Sequence, residues 1–256
     1  MVCLHSNASH SGQWRALSEK LTPAFHVLAA DGYGAGKSPA WRAKRPLRLA
    51  DEVALLEPVF ARAGDPFVLV GHSYGAAVAL IAALAQPQRV RALVLYEPTL
   101  FALVDAAAPR PNDADGIRFT VAAGAAALAV GDRHGAAQRF IDFWMGKGAW
   151  QQMPESRRTP IADSVTNIVA WGKALFGEAT PLSAFATLNV PVLYMLGKDS
   201  PASSRAVARV LVPALPQVDV AEFEGVGHMG PITHPELIND TIFGFLQSER
   251  LLLQVA

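Results

Sequence analysis

The chain has 256 residues, 51% hydrophobic and 17% charged, which suits one large globular domain with a well-buried core and argues against a disordered or low-complexity protein. Lys plus Arg equals Asp plus Glu at 22 each, so charge gives no case for a nucleic acid or an anionic membrane as partner. The Ala-rich stretch 121–130 is about half the length of a membrane span, and a lone cysteine, Cys3, cannot form an internal disulfide. The first residues lack the charged region and cleavage site of a signal peptide, and the expected location is cytoplasmic.

In chain order, residues 2–5 read as a buried strand holding Cys3, and 13–21 as a helix with Trp14, Leu17 and Leu21 on one face. Residues 25–29 read as a second strand, running into the glycine-rich loop 31–38. A helix is expected over 49–63, with Leu49, Val53, Leu56 and Phe60 at core spacing and a kink at Pro58. The apolar run 67–70 is a strand ending in Gly71-His72-Ser73-Tyr74-Gly75, and an Ala/Leu helix follows. Further strands are expected at 90–96, 190–196 and 218–223, and helices at about 203–215 and 235–254. Strands alternating with helices predict an α/β fold with a mostly parallel, doubly wound sheet.

Residues 99–186 break the alternation. They read as three or four helices, around 116–130, 134–145 and 160–176, the last starting at Thr159-Pro160. The expected organisation is a core of 1–98 plus 187–256, with 99–186 as a helical lid over the carboxyl ends of the strands. Its aromatics, Trp144, Trp150, Trp171, Phe119, Phe140, Phe143 and Phe176, are expected mainly to join lid to core, with two or three lining a pocket. Segments 105–115 and 146–160, rich in Pro, Gly and charge, are expected to be mobile and to gate access.

Gly-x-Ser-x-Gly between a strand and a helix is the context of a strained turn that exposes a nucleophilic serine beside the N–H groups of a helix start. Ser73 is the candidate nucleophile. Its base is expected at His228, in the glycine-flanked loop Gly225-Val226-Gly227-His228 just past the last strand. His72 belongs to the turn and points away from the hydroxyl. Two carboxylates satisfy the Ser…acid…His order: Glu97, in Tyr96-Glu97-Pro98, and Asp199, in Gly197-Lys198-Asp199-Ser200. No metal-spaced cluster or phosphate loop is present, so no metal or organic cofactor is implied.

These residues together resemble the α/β-hydrolase fold superfamily. The matching marks are Gly71–Gly75, the post-strand Leu4-His5-Ser6-Asn7, the 31–38 loop (similar to D-x-x-G-x-G-x-S) and Gly225-x-Gly227-His228. The resemblance implies an oxyanion hole from the backbone N–H groups of Asn7 and Tyr74. Three departures stand out. The family usually has two more strands before the one that opens this chain. Ser6 stands where the family has glycine. Serine also stands at the last place of the usual Gly-x-x-Asp, with Asp199 one residue early. Tyr96-Glu97-Pro98, His5-x-Asn7 and Trp14-Arg15 resemble haloalkane dehalogenases of this fold, which favours Glu97 as the acid. Dehalogenation itself needs an aspartate nucleophile, and this chain has Ser73.

The expectation is a serine hydrolase acting by acyl transfer on a small, largely apolar ester or related carbonyl compound. Carbon–carbon bond hydrolysis or cofactor-free haloperoxidase chemistry would use the same groups, and a non-catalytic binding protein of this fold is a third reading. The expected partner is a small-molecule substrate, with the chain a monomer or homodimer.

Overall fold

The computed structural model describes residues 1–22 and 24–251. Its core is a six-stranded parallel sheet in the order β2-β1-β3-β4-β5-β6, formed by β1 (Val2–Leu4), β2 (Leu28–Ala30), β3 (Phe67–His72), β4 (Val90–Tyr96), β5 (Val192–Gly197) and β6 (Val218–Phe223). Every residue of β3 and β5 is buried, and all but one of β4. Strands covered on both faces need such near-continuous apolar runs.

Helices cover both faces. Before the fourth strand come α1 (Arg15–Leu21), α2 (Leu49–Ala63) and α3 (Tyr74–Ala85). On one face Trp14, Leu17 and Leu21 pack with Ile238, Ile242 and Leu246 against Cys3, Val70 and Val94. Burial there pushes the Cys3 thiol up to about 12, keeping it an inert thiol. On the other face the apolar sides of α2 and α3 meet Val2, Leu4, Leu69 and Leu93.

Between β4 and β5 the chain forms no strand among the described residues. It makes α4 (Phe101–Ala107), α5 (Asp115–Ala129), α6 (Arg133–Met145), α7 (Ala149–Gln152), α8 (Glu155–Ser164), α9 (Ile168–Phe176) and α10 (Leu182–Phe185). Then follow α11 (Ala202–Leu211), α12 (Gly230–Thr233) and α13 (Pro235–Ser248). No helix among the described residues is long and apolar enough to cross a membrane.

Several boundaries differ from the sequence reading. Strand β2 starts at Leu28 rather than residue 25, because its partner β1 is only three residues long and Val2 lies opposite Leu28. The second strand of the sequence reading therefore spends residues 25–27 outside the ladder. The helix expected at 160–176 is two helices joined by a 3₁₀ turn at Val165–Asn167. Its start is not Thr159-Pro160: α8 opens after Pro154 and carries Pro160 inside, where the carbonyl left without a donor is that of exposed Ser156. Helix α2, by contrast, spans the expected Leu49–Ala63, with Pro58 inside it. Helix α13 stops at Ser248, and the expected positions 252–254 lie outside the described residues. Phe119, expected to pack, is 75% exposed.

The chain enters at β1, crosses to β2 on one side and returns to β3 on the other. Strand order thus reverses between β1 and β3, which opens a crevice at their carboxyl ends. Ser6 and Asn7 leave β1 at that point, and Ser73 leaves β3 beside them.

Candidate active site

Ser73 sits between β3 and α3 at φ 57°, ψ −116°, a strained backbone held by its surroundings. Its N–H donates to the Tyr96 carbonyl at 2.9 Å, and its own carbonyl accepts the Ala77 N–H at 3.0 Å. The flanking glycines are required sterically. A Cβ on Gly71 would overlap the backbone of Ala76, and one on Gly75 would overlap the carbonyls of Leu4 and His5. Tyr74 is the first residue of α3, so its N–H has no partner a turn earlier and stays available.

Three side chains from three strand ends form one line. Ser73 Oγ lies 2.9 Å from His228 Nε2, and His228 Nδ1 lies 2.6 Å from Glu97 Oε2. Ser73, Glu97 and His228 are all buried. Glu97 follows β4 at φ 46°, a second left-handed residue, and this turn aims its carboxyl back across the sheet end. Its other oxygen, Oε1, accepts the Gly197 N–H at 2.8 Å and the Ser200 hydroxyl at 2.5 Å. Ser204 Oγ stands 3.3 Å from His228 Nδ1, and the Trp144 ring stacks on the imidazole with centroids 3.9 Å apart.

Asp199, the other candidate acid, is exposed, and none of the hydrogen bonds of the His228 ring goes to it. Its N–H is tied to the Val226 carbonyl at 3.1 Å, in a turn that leaves the side chain outside and turns Ser200 in. The one-residue offset in the sequence has that consequence.

A second network holds the backbone of the site. Gln13 Oε1 accepts from the Ser6 N–H at 3.1 Å and the Ser6 hydroxyl at 3.0 Å, while Gln13 Nε2 donates to His72 Nδ1 at 3.0 Å. His72 Nε2–H donates to the His228 carbonyl at 2.8 Å. The network therefore assigns one tautomer to His72. Burial, reinforced by the neighbouring His228, pushes its pKa well below the ordinary histidine value, so the ring stays neutral. The phenol of Tyr96 donates to the Gly227 carbonyl at 2.8 Å, a second clamp on the histidine loop. On the other side, His5 donates from Nδ1 to the Ser6 carbonyl at 2.7 Å and accepts the Gly32 N–H at 3.1 Å. Burial lowers its pKa as well.

Sequence reasoning noted Ser200 only as a departure. It did not single out Gln13 or Ser204, for which no local signal exists: each depends on which strand ends lie together. It named Trp144 only among the aromatics of the helical insertion.

A cavity of about 580 Å³ opens over Ser73 and His228. Asn7, Phe140 and Trp144 line it, as do Met145, Met153 and Ile161 from the helical insertion. Phe140 and Trp144 are thus the aromatics of that insertion that face the open space.

Comparison with known proteins fits this geometry. The family model for the alpha/beta hydrolase fold matches residues 1–235. The chain belongs to the α/β-hydrolase family. A relative named pimeloyl-[acyl-carrier protein] methyl ester esterase, from Yersinia pseudotuberculosis, is 26% identical over 255 residues, 98% of this chain and 94% of its own length. An alpha/beta hydrolase from Sphaerobacter thermophilus superposes with a TM-score of 0.71 at 26% identity, covering 96% of this α/β-hydrolase and 91% of that chain. A haloalkane dehalogenase variant from Bradyrhizobium elkanii shares the fold, with a TM-score of 0.74 at 21% identity over 98% of this chain and 90% of its own. The protein is accordingly an enzyme of the α/β-hydrolase family, with relatives named as esterases and hydrolases.

Proposed function

We propose that this α/β-hydrolase is a serine esterase in which Ser73 is the nucleophile, His228 the general base and acid, and Glu97 the group that orients His228. The observation that carries the reading is the unbroken line from Ser73 Oγ through His228 to Glu97 Oε2, at 2.9 and 2.6 Å. With its Nδ1–H donating a hydrogen bond to Glu97, His228 presents an unprotonated Nε2 to the serine hydroxyl.

The chemistry follows from that tautomer. Ser73 Oγ forms a bond to the ester carbonyl carbon as Nε2 takes its proton. The developing oxyanion is held by the N–H groups of Asn7 and Tyr74, each worth about 3 kcal/mol in comparable sites. The bond to the alkoxy oxygen breaks, and that oxygen leaves with the proton from Nε2. Water then attacks the acyl-enzyme with the same imidazole as base, and the carboxylic acid departs with Ser73 restored. Trp144, stacked on His228, limits ring rotation and offers a π-face to the transient imidazolium.

In this reading α4 to α10 act as the lid. The cavity beneath them is large enough for a drug-sized ligand, and Phe140, Trp144, Met145, Met153 and Ile161 line it beside several serines, Arg157 and Asp163. The apolar part of that lining supports a small, largely apolar carboxylic ester, and the Yersinia relative is itself named as a methyl ester esterase. The deciding experiment is labelling with a fluorophosphonate probe, followed by turnover of an ester panel beside a ring-cleavage diketone. Labelling at Ser73 with ester turnover is expected. Diketone turnover without ester turnover would transfer the same residues to carbon–carbon hydrolysis, and folded protein that takes no label would point to a binding protein.

A further inference from the structure

The open cavity is not the only space at Ser73. A separate slot of about 20 Å³ also reaches it, walled by Ile117, Val121, Trp171 and Phe176. Asn7, Ser73, Phe140 and Trp144 line both spaces, so the two compartments meet at the nucleophile. They differ in one decisive respect. His228, Met229 and Ile232 line the open cavity and not the slot.

Thr99 lines the slot, two residues after Glu97. It is 1% exposed, and its hydroxyl has no hydrogen-bond partner among the described residues. A buried hydroxyl in a wall that is apolar apart from Asn7 and Ser73 is unfavourable unless something that enters the slot bonds to it.

We propose that the slot is the acyl compartment, that it takes a short acyl group with an oxygen on carbon 2, and that Thr99 recognises that oxygen. The assignment rests on the serine esterase reading and follows from its geometry. The alkoxy oxygen must receive a proton from His228 Nε2, so the alcohol half lies in the compartment that His228 lines. The carbonyl oxygen turns to Asn7 and Tyr74. The remaining substituent of the carbonyl carbon is the acyl chain, and the slot is the direction left to it. A volume of about 20 Å³ exceeds the ~10–15 Å³ that one water needs. It therefore holds one or two heavy atoms beyond the carbonyl carbon, while the open cavity accepts a much larger alcohol.

Two isosteric acyl groups separate the contributions. Phenyl glycolate and phenyl propionate differ only in a hydroxyl for a methyl, and Thr99→Val exchanges the same groups on the protein. The ratio of kcat/KM for glycolate over propionate is expected to fall about tenfold in Thr99→Val, the size of one net hydrogen bond. Thr99→Val should also raise Tm in the absence of substrate, since it removes an unpaired buried hydroxyl. In the wild type, kcat/KM should fall at least tenfold from phenyl propionate to phenyl hexanoate. Val121→Ala, which enlarges the slot, should shift that cut-off to a longer chain. An unchanged glycolate-to-propionate ratio would overturn the role of Thr99. Ser73-dependent rates that rise steadily with acyl length would overturn the slot assignment alone. Hydrolysis that survives Ser73→Ala, or no turnover of any of these esters, would overturn the esterase reading on which the assignment stands.

Discussion

Ser200 Oγ donates to Glu97 Oε1 at 2.5 Å, so the serine that stands where the family's usual motif has its acid is bonded to a carboxylate supplied by the neighbouring strand end. Glu97 reaches His228 from β4, and Ser200 and the Gly197 N–H, at the end of β5, fix the oxygen that His228 does not use. The two strands are adjacent, with Tyr96 opposite Met195 in the register. A carboxylate at either strand end can therefore approach the same imidazole. Glu97→Gln should keep the fold and lower kcat by about 10⁴, the cost of a wrong histidine tautomer in the serine-protease case. Asp199→Asn, at an exposed side chain, should stay within about twofold. Steady-state kinetics of both variants on one aryl ester make the comparison, and the reverse ranking would remove Glu97 from its proposed role.

Ser200 is expected to matter in smaller measure. Its hydroxyl bonds a buried carboxyl, an interaction worth about 1.5–3 kcal/mol. The Gly197 N–H remains when it is lost. Ser200→Ala should thus reduce kcat by about tenfold, with KM nearly unchanged because the side chain touches Glu97 and not the cavity. A KM effect larger than the kcat effect would mean that Ser200 acts on substrate binding instead.

Much of this arrangement is legible in the chain itself, for physical reasons that can be named. The strand-to-helix turn at Ser73 is visible because two glycines must flank it, and the structure shows the backbone atoms that exclude a Cβ at each. The parallel sheet is visible because β3, β4 and β5 are apolar on both faces. What the sequence leaves open is relative position. Glu97 and Asp199 both follow core strands, and only the turn that ties the Asp199 N–H to Val226 shows which side chain faces inward. The helical insertion is read least well. Pro160 looked like a helix start, yet it lies within α8, while the break falls at Val165–Asn167, where no glycine or proline marks it. Gln13 carries no signal at all, because its three partners lie on Ser6 and, 59 residues away, on His72.

Gln13 gives a stability prediction. Truncating it strands the Ser6 N–H and hydroxyl together with His72 Nδ1, and each unpaired buried group costs about 1–3 kcal/mol. Gln13→Ala should lower Tm by at least about 5 °C, given about 2–4 °C per kcal/mol in a chain of this size. It should also lower kcat, since Asn7 follows Ser6 and the His228 carbonyl is held through His72. Differential scanning calorimetry with an activity assay tests both. A stable Gln13→Ala would show that water replaces the side chain at no cost.

The same network predicts how the protein responds to acid. His72 and His5 are buried and neutral in the fold, with pKa values pushed below the ordinary 6.5 by desolvation. The unfolded chain takes up protons at these residues as pH falls through about 6.5, while the folded chain does not. Their contribution to stability is therefore complete above that value and declines below it, until the folded-state pKa values are reached. The slope is at most about 1.4 kcal/mol per pH unit for each histidine. Urea midpoints measured from pH 8 to pH 5 should be flat above about pH 7 and fall steadily below 6.5. His72→Gln keeps a donor and an acceptor near the His228 carbonyl and Gln13 but cannot titrate, so it should flatten the acid slope even if it lowers stability at pH 8. An unaltered slope in His72→Gln would place the acid sensitivity elsewhere, with His5→Gln the next variant to measure.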